Sequence, residues 1–226
     1  MRSLIRTARL ASVFPTRTNR QMHAWFARLC VLMEDLRIEI HCLYDESLSG
    51  ATQVESDVRR LYFLRRAVAT LVEFAEALHL LEREPDFQCL KAQFNSEALT
   101  QWSQAVQFFH ANEAFLKRVR NDVGGHFGGA AAVYAVENMQ PSASGKIELL
   151  ETKPGEWAER LHFTSLVAAT ALIRHLPGSS PEEKVDSLVA AVVEATKHAT
   201  QAVHIITALC LWDRFGPSTD DSAKQP

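Results

Sequence analysis

Residues 180–210, SPEEKVDSLVAAVVEATKHATQAVHIITALC, decide the fold class. Ser180 is placed to accept a backbone hydrogen bond, Pro181 fits the first helical position, and Glu183 stands where a capping-box glutamate reaches back. Val185, Leu188/Val189, Val192, Thr196, Ala199, Val203, Ile206 and Leu209/Cys210 then recur at three-and-four spacing. That period is one buried face of a long helix, not the alternation of a strand.

The same grammar extends backwards along the chain. From Thr18, with Gln21 as its capping partner, to about Ser47, the apolar positions are Met22, Trp25/Phe26, Leu29, Leu32/Met33, Leu36, Ile40 and Leu43. A second helix is predicted from Thr52, with Glu55 as box partner, through Leu61, Leu64, Val68, Leu71/Val72, Ala75, Leu78 and Leu81. Pro85, which has no amide hydrogen, is expected to stop it. A third starts near Asn95 or Ser96 and carries Leu99, Trp102, Val106, Phe109, Phe115/Leu116 and Val119 toward Gly124 and Gly125. A fourth is predicted over about 158–176, ending at Pro177-Gly178. Between them, the alternating run Lys146 to Thr152 reads as either a short strand or an ordered loop. The expected fold is all-α, an elongated up-and-down bundle of about five helices with a short insertion near 146–152.

Composition narrows the function classes. The 226 residues suit one domain, and 47% hydrophobic with 23% charged residues excludes a disordered chain. No apolar stretch reaches the ~20 residues of a membrane-spanning helix, so no membrane partner is expected. Four cysteines, at 30, 42, 89 and 210, form no Cys-x-x-Cys pair, which argues against a disulfide scaffold or structural zinc and for a cytoplasmic setting. Charge is uneven: Arg2, Arg6, Arg9, Arg17 and Arg20 precede the first acid, Glu34. Without those five, 24 basic residues become 19 against 27 acidic ones. The expected organisation is a basic arm over 1–17, a helical domain over 18–215 and a polar, disordered tail over 216–226. The arm reads as a transit peptide, an RNA-phosphate contact or a frayed terminus.

One segment breaks the bundle pattern: Lys117-Arg118-Val119-Arg120-Asn121-Asp122-Val123-Gly124-Gly125-His126-Phe127-Gly128-Gly129. Four of the chain's nine glycines fall within it. Each helical glycine costs roughly 1 kcal/mol relative to alanine, so the cluster implies a helix break or a close approach. The segment sets a guanidinium, an amide and an imidazole beside bare backbone. Arginine can grip a phosphodiester through parallel hydrogen bonds, and histidine titrates near neutral pH.

These residues resemble the motif of HEPN domains: an arginine, a polar residue, a few variable positions and a histidine. Arg120 and Asn121 match the start, and five residues separate Arg120 from His126. The resemblance implies an all-α, frequently dimeric protein of toxin–antitoxin, phage-defence or RNA-processing type, cutting RNA without metal. It implies that Arg120 binds the scissile phosphate, Asn121 orients the site and His126 transfers a proton. RNA and a second copy of the chain are then the expected partners, an antitoxin or regulatory protein a further one, with no cofactor and no metal.

Other readings stand beside it. In a helical interaction or regulatory protein the segment only shapes a packing surface: Arg118 would pair with Asp122, Asp122 would face His126, and the glycines would end a helix. A related reading has Gly124/Gly128 and Gly125/Gly129 smooth a helix face for a partner helix, in keeping with a dimer whose interface contains the site. A di-metal bundle would draw on Glu76–His79 and Glu159–His162, with Glu34 or Glu39 and Glu113. His198 reads as a core or edge group. Tyr62/Phe63, amid Arg59, Arg60, Arg65 and Arg66, makes a basic, aromatic stretch suited either to RNA or to a solvated face.

Overall fold

The computed structural model describes residues 19–45, 53–124, 127–161 and 163–209. The basic arm, the C-terminal tail and the predicted caps Thr18 and Thr52 lie outside the described residues. Helix α1 is Arg20–Tyr44, α2 Gln53–Glu82, α3 Pro85–Lys91 and α4 Ser96–Val119, continued by a π turn at Arg120–Gly124. Then come α5 at Gly129–Asn138, strands β1 (Ile147–Lys153) and β2 (Glu156–Leu161), α6 at Phe163–Leu172, a 3₁₀ turn at Ile173–His175, and α7 at Pro181–Thr207. The architecture is all-α with a small two-stranded insertion. Among the described residues no helix is long and apolar enough to cross a membrane.

The four long helices form the bundle: α1 packs on α2, α2 on α4, α4 on α7, and α7 returns to both α1 and α2. A helix of 30 residues, such as α2, runs roughly 45 Å, so the bundle is elongated. Helix α2 is its centre. Ala67, Val68, Ala69, Thr70, Leu71 and Val72 are all buried in succession, which only a helix covered on every side allows. On α7 Leu188, Val192, Ala199 and Ile206 are buried as the predicted stripe has them, while Ala195 and Ala202 take the buried positions beside the expected Thr196 and Val203, which are half-buried.

Helix ends follow local chemistry. Asn95 caps α4 by accepting from the Ala98 amide at 2.8 Å, and Ser180 Oγ accepts from the Glu183 amide at 3.2 Å. Glu183 Oε2 in turn accepts from the Ser179 amide at 2.8 Å. Helix α1 begins at Asn19, whose left-handed backbone (φ 53°, ψ 35°) is one that asparagine tolerates.

Three expectations are corrected. Pro85 does not merely end the second helix; α2 stops at Glu82 and Pro85 opens α3, its missing amide hydrogen harmless at a first helical position. Phe87 of that helix is buried against Trp102, ring centroids 4.9 Å apart. The predicted fourth helix over 158–176 is only partly a helix: Glu156–Leu161 is strand β2, antiparallel to β1 with Ile147 opposite Leu161. Pro154-Gly155 makes the intervening turn, with Gly155 at φ 82°. Finally, α5 was not foreseen in the alanine-rich stretch after the glycines.

Candidate functional site

Up to Val119 the α4 ladder is regular, with Leu116 and Val119 buried against the bundle. At Arg120 it widens into the π turn, a geometry that inserts one extra residue per turn and re-aims the side chains that follow. Val123 and Gly124 both bury in this turn, Val123 continuing the stripe of Leu116 and Val119. Arg120 remains half-buried and Asn121 exposed.

Arg120 and Asn121 meet directly. The guanidinium Nε and Nη2 of Arg120 both donate to Asn121 Oδ1, at 3.2 and 3.0 Å. One carbonyl oxygen thus holds one edge of the guanidinium, and Nη1 lies outside that clasp. Such a planar fork suits two parallel hydrogen bonds to a phosphate.

Gly124 answers a close approach. A Cβ there would lie 3.1 Å from Arg120 Cγ and 3.5 Å from the carbonyl oxygen of Arg65 on α2. The stem of Arg120 and the backbone of α2 therefore crowd the same glycine. Arg65 ties the contact from its side, its Nε–H donating to the Val123 carbonyl oxygen. Burial pulls the Arg65 pKa down, with nearby Tyr62 opposing.

Asp122 turns the other way. Its Oδ2 lies 2.6 Å from His175 Nε2 and 3.8 Å from Arg174 Nη1, both on the 3₁₀ turn. Arg174 in turn sits 5.2 Å above the Tyr134 ring of α5. The expected Arg118–Asp122 pair is thus replaced by a link to a segment 53 residues away. No local spacing announces such a partner.

Of the three predicted site residues, the structure brings Arg120 and Asn121 together, while His126, with Gly125, lies outside the described residues. The smooth glycine face is corrected. Gly124 ends the π turn, Gly128 is extended (φ −68°, ψ 149°) with its amide donating to the Asp122 carbonyl at 3.1 Å, and α5 begins only at Gly129. No single helix carries the repeat.

The carboxylates of the di-metal reading go elsewhere. Glu76 pairs with Arg28 at 3.4 Å, Glu34 with Arg37 at 2.8 Å and Glu113 with Lys117 at 2.5 Å, the last a hydrogen bond that lowers the Glu113 pKa. Glu159 is on β2 opposite Leu149, where helical three-residue spacing has no meaning, and His162 lies outside the described residues. Among the described residues no group of three or more His, Cys, Asp or Glu is placed to hold a metal ion. His198 stacks on Phe108 at 4.6 Å, and burial lowers its pKa.

The arginines near Tyr62 divide their work. Arg59 Nη1 donates to the Asp45 carbonyl at 2.6 Å and Arg66 faces Glu39 at 3.5 Å, both joining α2 to α1, while Arg65 holds the π turn. Beside Arg65 a cleft of about 390 Å³ opens between α2, Phe127 and the start of α6. No protein-family model matches this chain, and neither does any curated protein or solved structure.

Proposed function

We propose that this chain is an HEPN-like, metal-independent endoribonuclease working as a homodimer. The observation that carries the reading is the Arg120–Asn121 clasp at the start of a π turn, with His126 following in the sequence. The glycine after it is occupied by packing against α2, and the aspartate by His175, so Arg120 and Asn121 are the polar side chains of this turn that face outward.

In the proposed reaction the ribose 2′-hydroxyl attacks the adjacent phosphorus. An O2′–P bond forms as the P–O5′ bond breaks, the 2′-hydroxyl proton leaves to a base, and a proton returns to the 5′-oxygen. The products are a 2′,3′-cyclic phosphate and a 5′-hydroxyl, with no redox step. Arg120 offsets the charge that grows on the phosphoryl oxygens, Asn121 keeps the guanidinium in register, and His126 is the proton-transfer group. A regulatory protein that shields this face, such as an antitoxin, belongs to the same proposal.

A helical interaction protein is the second reading, favoured by the purely architectural contacts of Asp122, Val123 and Gly124. The test is cleavage of total RNA by purified protein in excess chelator, wild type beside Arg120→Ala and His126→Ala, with product ends analysed. Chelator-resistant cutting that leaves cyclic phosphate and drops on the order of 10²- to 10⁴-fold in each variant supports the nuclease. Wild-type protein that leaves RNA intact removes it and leaves the interaction reading in its place.

A further inference from the structure

The cleft beside Arg65 is lined by Val58, Leu61 and Tyr62 of α2, by Phe127, and by Phe163 and Val167 of α6. Its three rings are unusually open for their size: Tyr62 is 53% exposed, and Phe127 and Phe163 are each 37% exposed. Single exposed apolar residues are ordinary on a protein surface, but three aromatics from three segments around one concavity are not.

The cleft adjoins the candidate site through Arg65. Arg65, which lines it, donates to the Val123 carbonyl of the π turn, and Gly124 is crowded by Arg65 on one side and Arg120 on the other. Phe127 follows directly on the segment that ends the motif. Among the described residues lining the cleft, Arg65 is the one charged group, Tyr62, Thr164 and Ser165 carry hydroxyls, and there is no carboxylate. A volume near the lower end of the range for small-molecule sites suits one flat group, and is too small for a docked helix.

The geometry points to this cleft as a base-binding subsite for single-stranded RNA. It receives the unpaired base next to the phosphodiester held by Arg120 and Asn121, stacked against Tyr62 and Phe127 with the Arg65 guanidinium beside it. Every base offers a π face, so such a subsite accepts many sequences, and aromatic rings next to a cation without nearby acids are its chemical signature. The assignment rests on the RNA reading of the candidate site.

The experiment measures binding of a fluorescently labelled single-stranded RNA heptamer in excess chelator, in a His126→Ala background that suppresses cleavage. A matched heptamer with one abasic position is run in parallel, scanning the position. Tyr62→Ala and Phe127→Ala are each expected to weaken the intact heptamer on the order of tenfold, and Tyr62→Phe to restore it. At the position that occupies the cleft, the abasic heptamer is expected to bind the alanine variants and their parent alike. Intact-heptamer affinity unchanged in both alanine variants overturns the subsite, as does an abasic loss that persists undiminished in them. A change of the alanine variants from dimer to monomer in sedimentation, with base-dependent affinity kept, overturns it too and makes the cleft a contact between copies. Cleavage by the protein with His126 intact separates the two proposals. If it leaves RNA uncut while Tyr62→Ala still removes base-dependent affinity, the subsite stands without the nuclease. If it cuts and both alanine variants bind and cut like wild type, the nuclease stands without the subsite.

Discussion

Glu39 is a carboxylate placed where the bundle is otherwise apolar. Its Oε1 accepts from Thr70 Oγ1 at 3.0 Å and lies 3.5 Å from Arg66 Nε, while its buried Oε2 has no hydrogen-bond partner among the described residues. Burial pushes its pKa up, against the pull of Thr70 and Arg66, and Asp35 adds to the rise. A carboxyl group whose folded pKa exceeds its unfolded one binds its proton more tightly when folded. Stability therefore falls as pH climbs from the ordinary carboxylate range through the raised value, and the full penalty is present above it. Glu39→Gln keeps an acceptor for Thr70 and removes the charge. Its melting temperature is expected to exceed wild type at pH 7, with the difference closing toward pH 4; equal melting at both pH values would refute the argument. Gly124 makes a second prediction. Alanine there gains about 1 kcal/mol of helix propensity but meets Arg120 Cγ at 3.1 Å and Cβ at 3.3 Å, and overpacking costs about 1–3 kcal/mol. Gly124→Ala is expected to lose on the order of 1 kcal/mol in denaturant unfolding while displacing Arg120, so RNA cleavage should fall further than stability does.

At the scale of elements, the link from the π turn to the 3₁₀ turn is a second anchor of the motif beside Arg65. Asp122 and His175 are 20% and 30% exposed, so their contact is partly screened and contributes about 1 kcal/mol rather than the value of a buried charged pair. His175→Ala is expected to lower global stability by about that amount and to speed amide exchange selectively over 120–124 and 173–175. Exchange unchanged there would mean the turn holds itself. What the sequence revealed follows the range of each interaction. The Ser180 cap was readable because donor and acceptor are three residues apart. The Arg120–Asn121 clasp was not read, although the two are adjacent, because the resemblance assigned each a separate role. The Asp122–His175 link was not readable, because its partners lie 53 positions apart in the chain. Strand β2 was misread because Trp157, Leu161 and the Glu159–His162 spacing suit a helix as well as a strand. The discriminating signal was Pro154-Gly155, a turn dipeptide that permits the positive φ at Gly155.

At the scale of the whole molecule, the apolar stripes told which face of each helix is buried, while only packing tells which helix stands at the centre. The stripe read on α2 became burial on all sides over 67–72, where α1, α4 and α7 close around it. The β hairpin is the opposite case. None of the side chains described in β1 or β2 is buried, and Ile147, Leu149 and Trp157 are 59%, 59% and 61% exposed. An isolated two-stranded hairpin is marginal in water and adds little to a core it does not touch. Its two stems nevertheless return to nearly the same place, since a Cβ on Gly145 would collide with Phe163 Cβ. Replacing residues 147–161 by a short Gly-Ser link is therefore expected to leave a cooperatively folded bundle within about 1 kcal/mol of wild type, a shift of roughly 2–4 °C in melting temperature. Gly145→Ala, by contrast, forces backbone and ring apart at the stem and is expected to destabilise by about 1–3 kcal/mol. If excision unfolds the chain while Gly145→Ala is silent, the hairpin supports the bundle through its strands and not through its stem.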